Sequence, residues 1–198
     1  MQHEQHPEGG EQQPDINAEH EAGFEPRIYV VERSSSQRGI QHGLWIDANQ
    51  APADLDADIA AMLASSPTVD ATEWGVEDSD DFAGLDLSST TDTVLIAQLA
   101  RGVAAHGVAF ASWATLVEND REQLDRFDDA YIDSYATPEA WARSLADRLG
   151  WHEALDQAVI DPLLRPYVVL DYTAIAEDSY QHWRLTIGAD GMVHVFVK

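Results

Sequence analysis

The chain has 198 residues and a formal net charge of −25, from 36 acidic against 11 basic residues, with no cysteine and 44% hydrophobic residues. This excess of acid excludes a nucleic-acid binder, because neutralising phosphates requires Lys and Arg, and it disfavours binding to an anionic membrane. The large apolar residues suffice for a core. The lack of cysteine excludes disulfides and thiolate zinc sites. The negative charge favours a partner with a basic surface.

Residues 1–26 are predicted to form a disordered acidic tail, because they are rich in Gln, Glu and His and contain few large apolar side chains. The tail carries seven acidic residues and no Lys or Arg, which leaves a charge of −18 on residues 27–198. It lacks the basic-then-apolar order of a signal peptide, and no apolar run approaches membrane-spanning length. We therefore expect a cytoplasmic protein whose folding does not need the tail.

Residues 27–91 are predicted to form an N-terminal α+β module. Strands are expected at residues 27–31, 43–47 and 72–77, the first two of them paired, with a polar loop at 34–39 and an acidic loop at 78–84. Proline is tolerated in the first turn of a helix, so a helix begins at Pro52. Its inward face carries apolar side chains at helical spacing, namely Leu55, Ile59, Met62 and Leu63.

Residues 92–128 are predicted to form a small helical module. Thr91 or Asp92 can cap a helix that ends at Gly107, and a second helix follows directly. A capping box that begins at Asn119 predicts a third, short helix.

Residues 129–198 are predicted to form a C-terminal α+β module. A Thr-Pro-Glu sequence at Thr137 marks the start of a helix that Gly150 ends. Further elements are expected at residues 162–166 (a turn or short helix), 171–177 (a short helix), and 181–187 with 192–197 (a hairpin around 188–191). The predicted fold is therefore α+β, an elongated row of three small modules.

The stretch from Gly39 to Ala100 contains no Lys and no Arg. Apolar residues at helix and strand periods separate its acids, so we expect a folded surface that is almost purely anionic. Repulsion between like charges destabilises the folded state, so keeping these acids without counter-ions indicates that their negative electrostatic field serves the function of the protein. The candidate binding acids of this stretch are Asp47, Asp54, Asp56, Asp58, Asp70, Glu73, Glu77, Asp78, Asp80, Asp81, Asp86 and Asp92. A second block, opposed by two arginines, adds Glu118, Asp120, Glu122, Asp125, Asp128, Asp129 and Asp133.

No motif for a catalytic, metal or cofactor site accompanies these acids. The Asp repeats that begin at Asp54 and Asp78 resemble the start of an EF-hand loop, but the sixth position lacks Gly and the twelfth lacks Glu. The chain has no glycine-rich phosphate loop and no nucleophile motif, and its histidines lack the spacing of metal ligands. We therefore predict no catalytic residue, no metal and no cofactor.

The order of several short stretches resembles the ArdA antirestriction proteins. The stretches are Arg27-Ile28-Tyr29-Val30, Gln41-His42-Gly43-Leu44-Trp45-Ile46-Asp47-Ala48, Glu73-Trp74-Gly75-Val76-Glu77-Asp78, Ala130-Tyr131-Ile132-Asp133-Ser134-Tyr135, Leu164-Arg165-Pro166-Tyr167, Asp171-Tyr172 and Val193-His194-Val195-Phe196. The resemblance covers roughly residues 27–198.

The resemblance implies a DNA mimic that is not an enzyme. Proteins of this kind are elongated dimers whose surface acids imitate the phosphates of bent B-form DNA. They occupy the DNA-binding groove of type I restriction-modification enzymes, so that incoming plasmid, transposon or phage DNA is spared. At −18 per folded chain a dimer would carry the charge of about 18 base pairs, since duplex DNA has two charges per pair.

The homodimer is expected to form through the last module, at four of its five tyrosines: Tyr131, Tyr135, Tyr167 and Tyr172. Two other functions fit the composition. Lys198 is the single lysine, and such an acid-rich, lysine-poor chain also suits a housekeeping protein adapted to high salt. The other alternative is an acidic enzyme whose site no motif identifies.

Overall fold

The computed structural model describes residues 23–36 and 39–198. The first part of the chain forms β1 (Arg27–Glu32), α1 (Arg33–Ser36), β2 (Gly43–Asp47), α2 (Pro52–Ala64) and β3 (Trp74–Asp80). Three helices follow, α3 (Thr93–Leu116), α4 (Arg121–Leu124) and α5 (Phe127–Ala130). The last part forms β4 (Tyr131–Tyr135), α6 (Pro138–Arg148), α7 (Trp151–Ala158), a 3-10 turn (Arg165–Tyr167), α8 (Tyr172–Ser179), β5 (Trp183–Ile187) and β6 (Val193–Val197).

Two antiparallel three-stranded sheets organise these elements, which confirms the predicted α+β class. The first sheet has the order β2-β1-β3 and the second the order β4-β6-β5. Strands β1 and β2 pair as predicted, and β5 and β6 form the predicted hairpin.

The inner face of the first sheet packs against α2. Ile28, Val30 and Ile46 point inward from the sheet and belong to one apolar cluster with Leu55 and Ile59 of α2. Alternation along β1 therefore places Arg27, Tyr29 and Val31 on the opposite, outer face.

Strand β6 contributes to both apolar clusters of the fold. Its Phe196 joins the cluster that runs from the first sheet through α3, while Val193 and Val195 join a second cluster around Trp141 and Leu145. The alternation of side chains along a strand explains the division, because neighbouring residues face opposite sides. Side chains from all three predicted modules thus meet in the first cluster.

Helix α3 begins at the predicted cap and changes direction at the predicted glycine. The Asp92 carboxylate accepts hydrogen bonds from the backbone N–H groups of Val94 and Leu95. Gly107 has φ 58° and ψ −139°, a non-helical conformation that separates two helical halves. An 18-residue window of α3 has a mean hydropathy of 1.5 and could cross a membrane by length and composition alone, which corrects our expectation of no such run. Half of that window is buried inside the protein, as in a core helix.

Several element boundaries differ from the predictions. Residues 33–36 form a helical turn inside the predicted polar loop. Strand β3 runs to Asp80, so the beginning of the predicted acidic loop is part of the sheet. Asp120, and not Asn119, caps α4, because Asn119 has a positive φ of 59° while the Asp120 carboxylate accepts from the Gln123 N–H.

Two elements of the last part were not predicted. Gly150 ends α6 with φ 65°, as expected, but the chain resumes a helix at once as α7. Strand β4 lies inside the second acidic block, where Asp133 and Ser134 interrupt the apolar alternation that would have indicated a strand.

The end of the predicted tail contacts the fold. Phe24 packs against the first apolar cluster beside Gly107, and the Pro26 carbonyl accepts a hydrogen bond from the Ala48 N–H. Residues 1–22, the rest of the predicted tail, lie outside the described residues.

Candidate partner-binding surface

All nineteen candidate acids are exposed to solvent, and together they define the acidic surface. Among the acids that the structure describes, Glu32 is buried and Glu139 is half-buried, and the others are exposed. The Glu32 carboxylate accepts hydrogen bonds from the Ser34 N–H at 2.6 Å and the Ser66 hydroxyl at 3.4 Å. The fold therefore keeps its anionic charge at the surface.

Three acids converge at the end of the first sheet. The strand register places Arg27 between Asp47 on β2 and Asp80 on β3, and Asp78 beside Tyr29. The Arg27 guanidinium donates to the Asp80 carboxylate at 2.5 Å, and this hydrogen bond raises the pKa of Arg27 above its usual value. Of the three acids, Asp80 pairs directly with this guanidinium, and the charges of Asp81 and Glu25 also act on it.

A bulge in β3 directs a further acid outward. Tyr29 pairs with Asp78 while Val30 pairs with Val76, so Glu77 is the extra residue between them. Sequence periodicity cannot locate such a bulge, which explains why the strand was predicted to stop at Glu77.

The acids after β3 are fixed by backbone donors. The Asp81 carboxylate accepts from the Glu25 N–H at 3.2 Å, and Asp86 accepts from the Ser88 N–H at 2.8 Å. Hydrogen bonds from the backbone and side chain of Ser88 lower the pKa of Asp86. Asp86 therefore remains ionised to a lower pH than an ordinary aspartate.

An open cleft of about 560 Å³ lies between the two acidic stretches, and its lining includes the two bases Arg101 and Arg121. Pro52, at the start of α2, lines the cleft together with Glu122 and Asp125 of the second block. Gln98 of α3 holds this arrangement, because its side-chain amide donates to the Asp125 carboxylate at 2.7 Å and to the Arg121 carbonyl at 3.1 Å.

Other acids stand apart from these groups. Asp54, Asp56 and Asp58 are exposed on α2, and Asp70 and Glu73 on the connection that follows. Glu118, Asp120, Asp128 and Asp129 are exposed on the turns and short helices after α3, and Asp133 lies on the second sheet.

Few bases neutralise the acidic surface. Within the described residues, four of its nineteen acids form ion pairs, which are Asp80 with Arg27, Asp92 with Arg121 (3.9 Å), Asp128 with His106 (3.7 Å) and Asp133 with Arg148 (3.6 Å). Exposed pairs of this kind contribute little to stability, because water and salt screen them. The anionic field of the surface therefore persists.

The candidate acids end at Asp133, but exposed acids continue along the chain. The last part of the chain also exposes Asp147, Glu153, Asp156, Asp161, Asp171, Glu177 and Asp178. A count of charged residues could have revealed these acids, since residues 129–198 hold 11 acids against 5 bases.

The structure joins Ser134, His194 and Asp190, which no motif predicted. The Ser134 hydroxyl lies 2.6 Å from His194 Nδ1 and 2.8 Å from the Tyr131 hydroxyl, and His194 Nε2 lies 3.3 Å from the Asp190 carboxylate. His194 is 2% exposed, whereas Asp190 is exposed, so the network runs from the interior to the surface. It connects β4, β6 and the hairpin turn by hydrogen bonds.

No group of three or more His, Asp or Glu side chains that could hold a metal ion occurs in the part of the chain that the structure describes. What this surface offers chemically is a set of exposed carboxylates, several of them held by hydrogen bonds. Such a set attracts and orients cationic groups of another molecule.

Comparison with known proteins identifies the family. A search of curated proteins finds no match. A family model described as antirestriction protein (ArdA) matches residues 28–193, which is most of the chain. The chain therefore belongs to the ArdA antirestriction protein family.

Proposed function

We propose that this protein inhibits type I restriction-modification enzymes by mimicking DNA, with the carboxylates of the acidic surface in place of phosphates. The observation that carries the proposal is the exposure of all nineteen candidate acids, most of them without a paired base in the described residues. The occupied site on the enzyme is the DNA-binding groove of its methyltransferase core. Incoming mobile-element DNA is then spared, and the protein acts in the cytoplasm without catalysis.

A homodimer is part of the proposal. Residues 159–170, the apolar loop, expose Leu163 and Tyr167 to 82% each and contain one acid and one base. Exposed apolar patches are typical of interaction sites, and two copies of −25 approach most easily at a neutral surface. The apolar loop is therefore the favoured contact.

The four tyrosines considered for the dimer differ in accessibility. Tyr131 and Tyr135 pack against the two apolar clusters, and Tyr172 lies under the Arg143 guanidinium at 4.3 Å. Tyr167, within the apolar loop, is the most solvent-exposed of the four.

Displacement of DNA tests the proposed function. A labelled duplex bound to a purified type I methyltransferase core should be released by stoichiometric amounts of the full chain. A salt-adapted housekeeping protein would leave the duplex bound, and so would an acidic enzyme with another substrate.

A further inference from the structure

The outer face of the first sheet carries an exposed aromatic pair that phosphate mimicry does not explain. Tyr29 and Trp45 lie opposite each other on β1 and β2, with ring centroids 5.4 Å apart. Trp45 is 42% exposed, although helix α2 offers apolar cover on the inner face of the same sheet. We call these two rings the aromatic platform.

Carboxylates flank the aromatic platform. Asp78 pairs with Tyr29 on the side away from Trp45, and Asp47 and Asp80 follow one pleat along the sheet. All three carboxylates are exposed. The face thus combines two ring surfaces with three negative charges.

One guanidinium of the chain already uses this combination. The Arg27 Cζ atom lies 5.6 Å from the Trp45 ring centroid, and the same guanidinium pairs with Asp80. Aromatic rings attract cations through their quadrupole, and carboxylates bind guanidinium groups through directed hydrogen bonds. Arg27 pairs with one of the three carboxylates, and Asp47 and Asp78 form no ion pair within the described residues, so both are open to a second cation.

We propose that the aromatic platform with Asp47 and Asp78 is an arginine-binding subsite for a basic protein partner. A partner guanidinium stacks on the rings and donates hydrogen bonds to one of the two carboxylates. Arginine is favoured over lysine because its planar guanidinium both stacks and pairs in a fixed geometry. The identity of the partner rests on the proposed function, but the subsite itself does not, since any arginine-presenting surface has the chemistry required.

Peptides test the subsite without the enzyme. The probes are a tetra-arginine and a tetra-lysine peptide, whose binding to the full-length protein is measured by calorimetry. In Trp45→Ala the arginine peptide should bind about twofold to fivefold more weakly, as expected for an exposed cation–π contact, while the lysine peptide changes less. Trp45→Phe should recover most of the loss because it keeps a ring.

Two further variants sharpen the test. Arg27→Gln should bind the arginine peptide more tightly than wild type, because it frees the Trp45 ring and the Asp80 carboxylate. Leu44→Ala is the matched control on the same strand, since Leu44 is also half exposed but lies on the opposite face. It should bind both peptides like wild type. An arginine-to-lysine preference that stays the same in Trp45→Ala, Trp45→Phe and Arg27→Gln would overturn the subsite.

Displacement of DNA from the methyltransferase core separates the subsite from the proposed function. If wild type fails to displace the duplex but the peptide pattern holds, the proposed function fails and the subsite stands. The opposite outcome is that wild type displaces the duplex, while Trp45→Ala equals Leu44→Ala both in binding the two peptides and in displacing the duplex from the enzyme. In that case the subsite fails and the proposed function stands. If sedimentation shows that Trp45→Ala dissociates a dimer without changing peptide binding, the platform contacts a second copy and the proposal is wrong.

Discussion

Individual carboxylates of the acidic surface are held by backbone hydrogen bonds more than by counter-ions. Asp47 accepts from the Asn49 N–H at 2.8 Å, and Asp120 accepts from the Gln123 N–H at 3.0 Å. An amide donor fixes a carboxylate without cancelling its charge. Fixed anionic groups are what a substitute for phosphate requires.

Asp86 gives a prediction about pH. Both hydrogen bonds from Ser88 lower its pKa, so its ionised form stabilises the fold above the usual aspartate pKa, and this stabilisation is lost as pH falls through the lowered value. Ser88→Ala removes the hydroxyl donor but keeps the N–H, and should therefore raise the pKa of Asp86 part of the way to its usual value. Carboxyl-carbon NMR titration measures the shift, with Ser89→Ala as the control. An unchanged Asp86 pKa in Ser88→Ala would contradict this account.

The Ser134 network gives a second prediction at this scale. Ser134→Ala removes the hydroxyl that bonds to His194 and Tyr131, and should lower the free energy of unfolding by about 1–3 kcal/mol, because a buried polar group loses its partner. Urea unfolding measures the change, and displacement of DNA should stay at the wild-type level. Loss of inhibition in a folded Ser134→Ala protein would contradict a purely structural role for this network.

Among the elements, α3 connects the two ends of the fold. Val94 and Gln98 of its first half line the cleft with Pro52 of α2, and in its second half the Trp113 ring centroid lies 5.2 Å from that of Phe196 on β6. The change of direction at Gly107 makes both contacts possible, because a continuous helix would direct the second half elsewhere.

Gly107→Ala tests this element. The backbone conformation at Gly107 is strained for any residue with a side chain, and an added Cβ would lie 2.9 Å from the Phe24 ring. We expect the free energy of unfolding to fall by about 1–3 kcal/mol in chemical denaturation. Gly23→Ala is the matched control, since its Cβ would meet nothing within 4 Å. Equal stabilities of the two variants would show that the kink carries no structural role.

The sequence predicted those elements whose signals are local. Caps at Asp92 and Thr137 and the turn residue Gly107 were located correctly, because each acts on its own few neighbours. Strand β4 was missed because its conformation depends on pairing with β6. Helix α7 was missed because Gly150 was interpreted as a helix end, whereas it also begins the next helix. Strand β3 begins two residues and ends three residues later than predicted, because pairing with β1 sets its register.

At the scale of the whole molecule, charge was the most informative feature of the sequence. Exposure of the candidate acids follows from the cost of burying a charge, so their place at the surface could be predicted one by one. The aromatic platform could not be predicted from the sequence, because strand register decides that Tyr29, Trp45 and Asp78 are neighbours. The cleft between the two acidic stretches likewise depends on how α2, α3 and α4 pack.

The apolar loop leads to a prediction about assembly. Leu163→Asp places a charge in an exposed apolar segment and should weaken self-association at least tenfold, because the introduced carboxylate would be desolvated at the contact. Analytical ultracentrifugation measures the dissociation constant. Ile187→Asp is the control, because Ile187 is also an exposed apolar residue but lies outside the apolar loop. This variant should leave the dissociation constant near the wild-type value. A wild-type protein that is monomeric at micromolar concentration would contradict the proposed homodimer.

The central claim is that many carboxylates act together in place of phosphates, and the salt dependence of DNA displacement tests it most directly. A labelled duplex is displaced from a type I methyltransferase core at several salt concentrations by four proteins. The first two are wild type and the single variant Asp56→Asn. The third is a quadruple variant that combines Asp54→Asn, Asp56→Asn, Asp81→Asn and Asp86→Asn. The fourth is a control with the same loss of charge in the tail, which combines Glu4→Gln, Glu8→Gln, Glu11→Gln and Asp15→Asn.

The account predicts that wild-type affinity falls steeply with salt, as it does for DNA. The single variant should cost less than about 1 kcal/mol, and the quadruple variant should bind more weakly with a shallower salt slope, whereas the tail control should resemble wild type. Binding that ignores salt, or a folded single variant that no longer binds, would contradict phosphate mimicry.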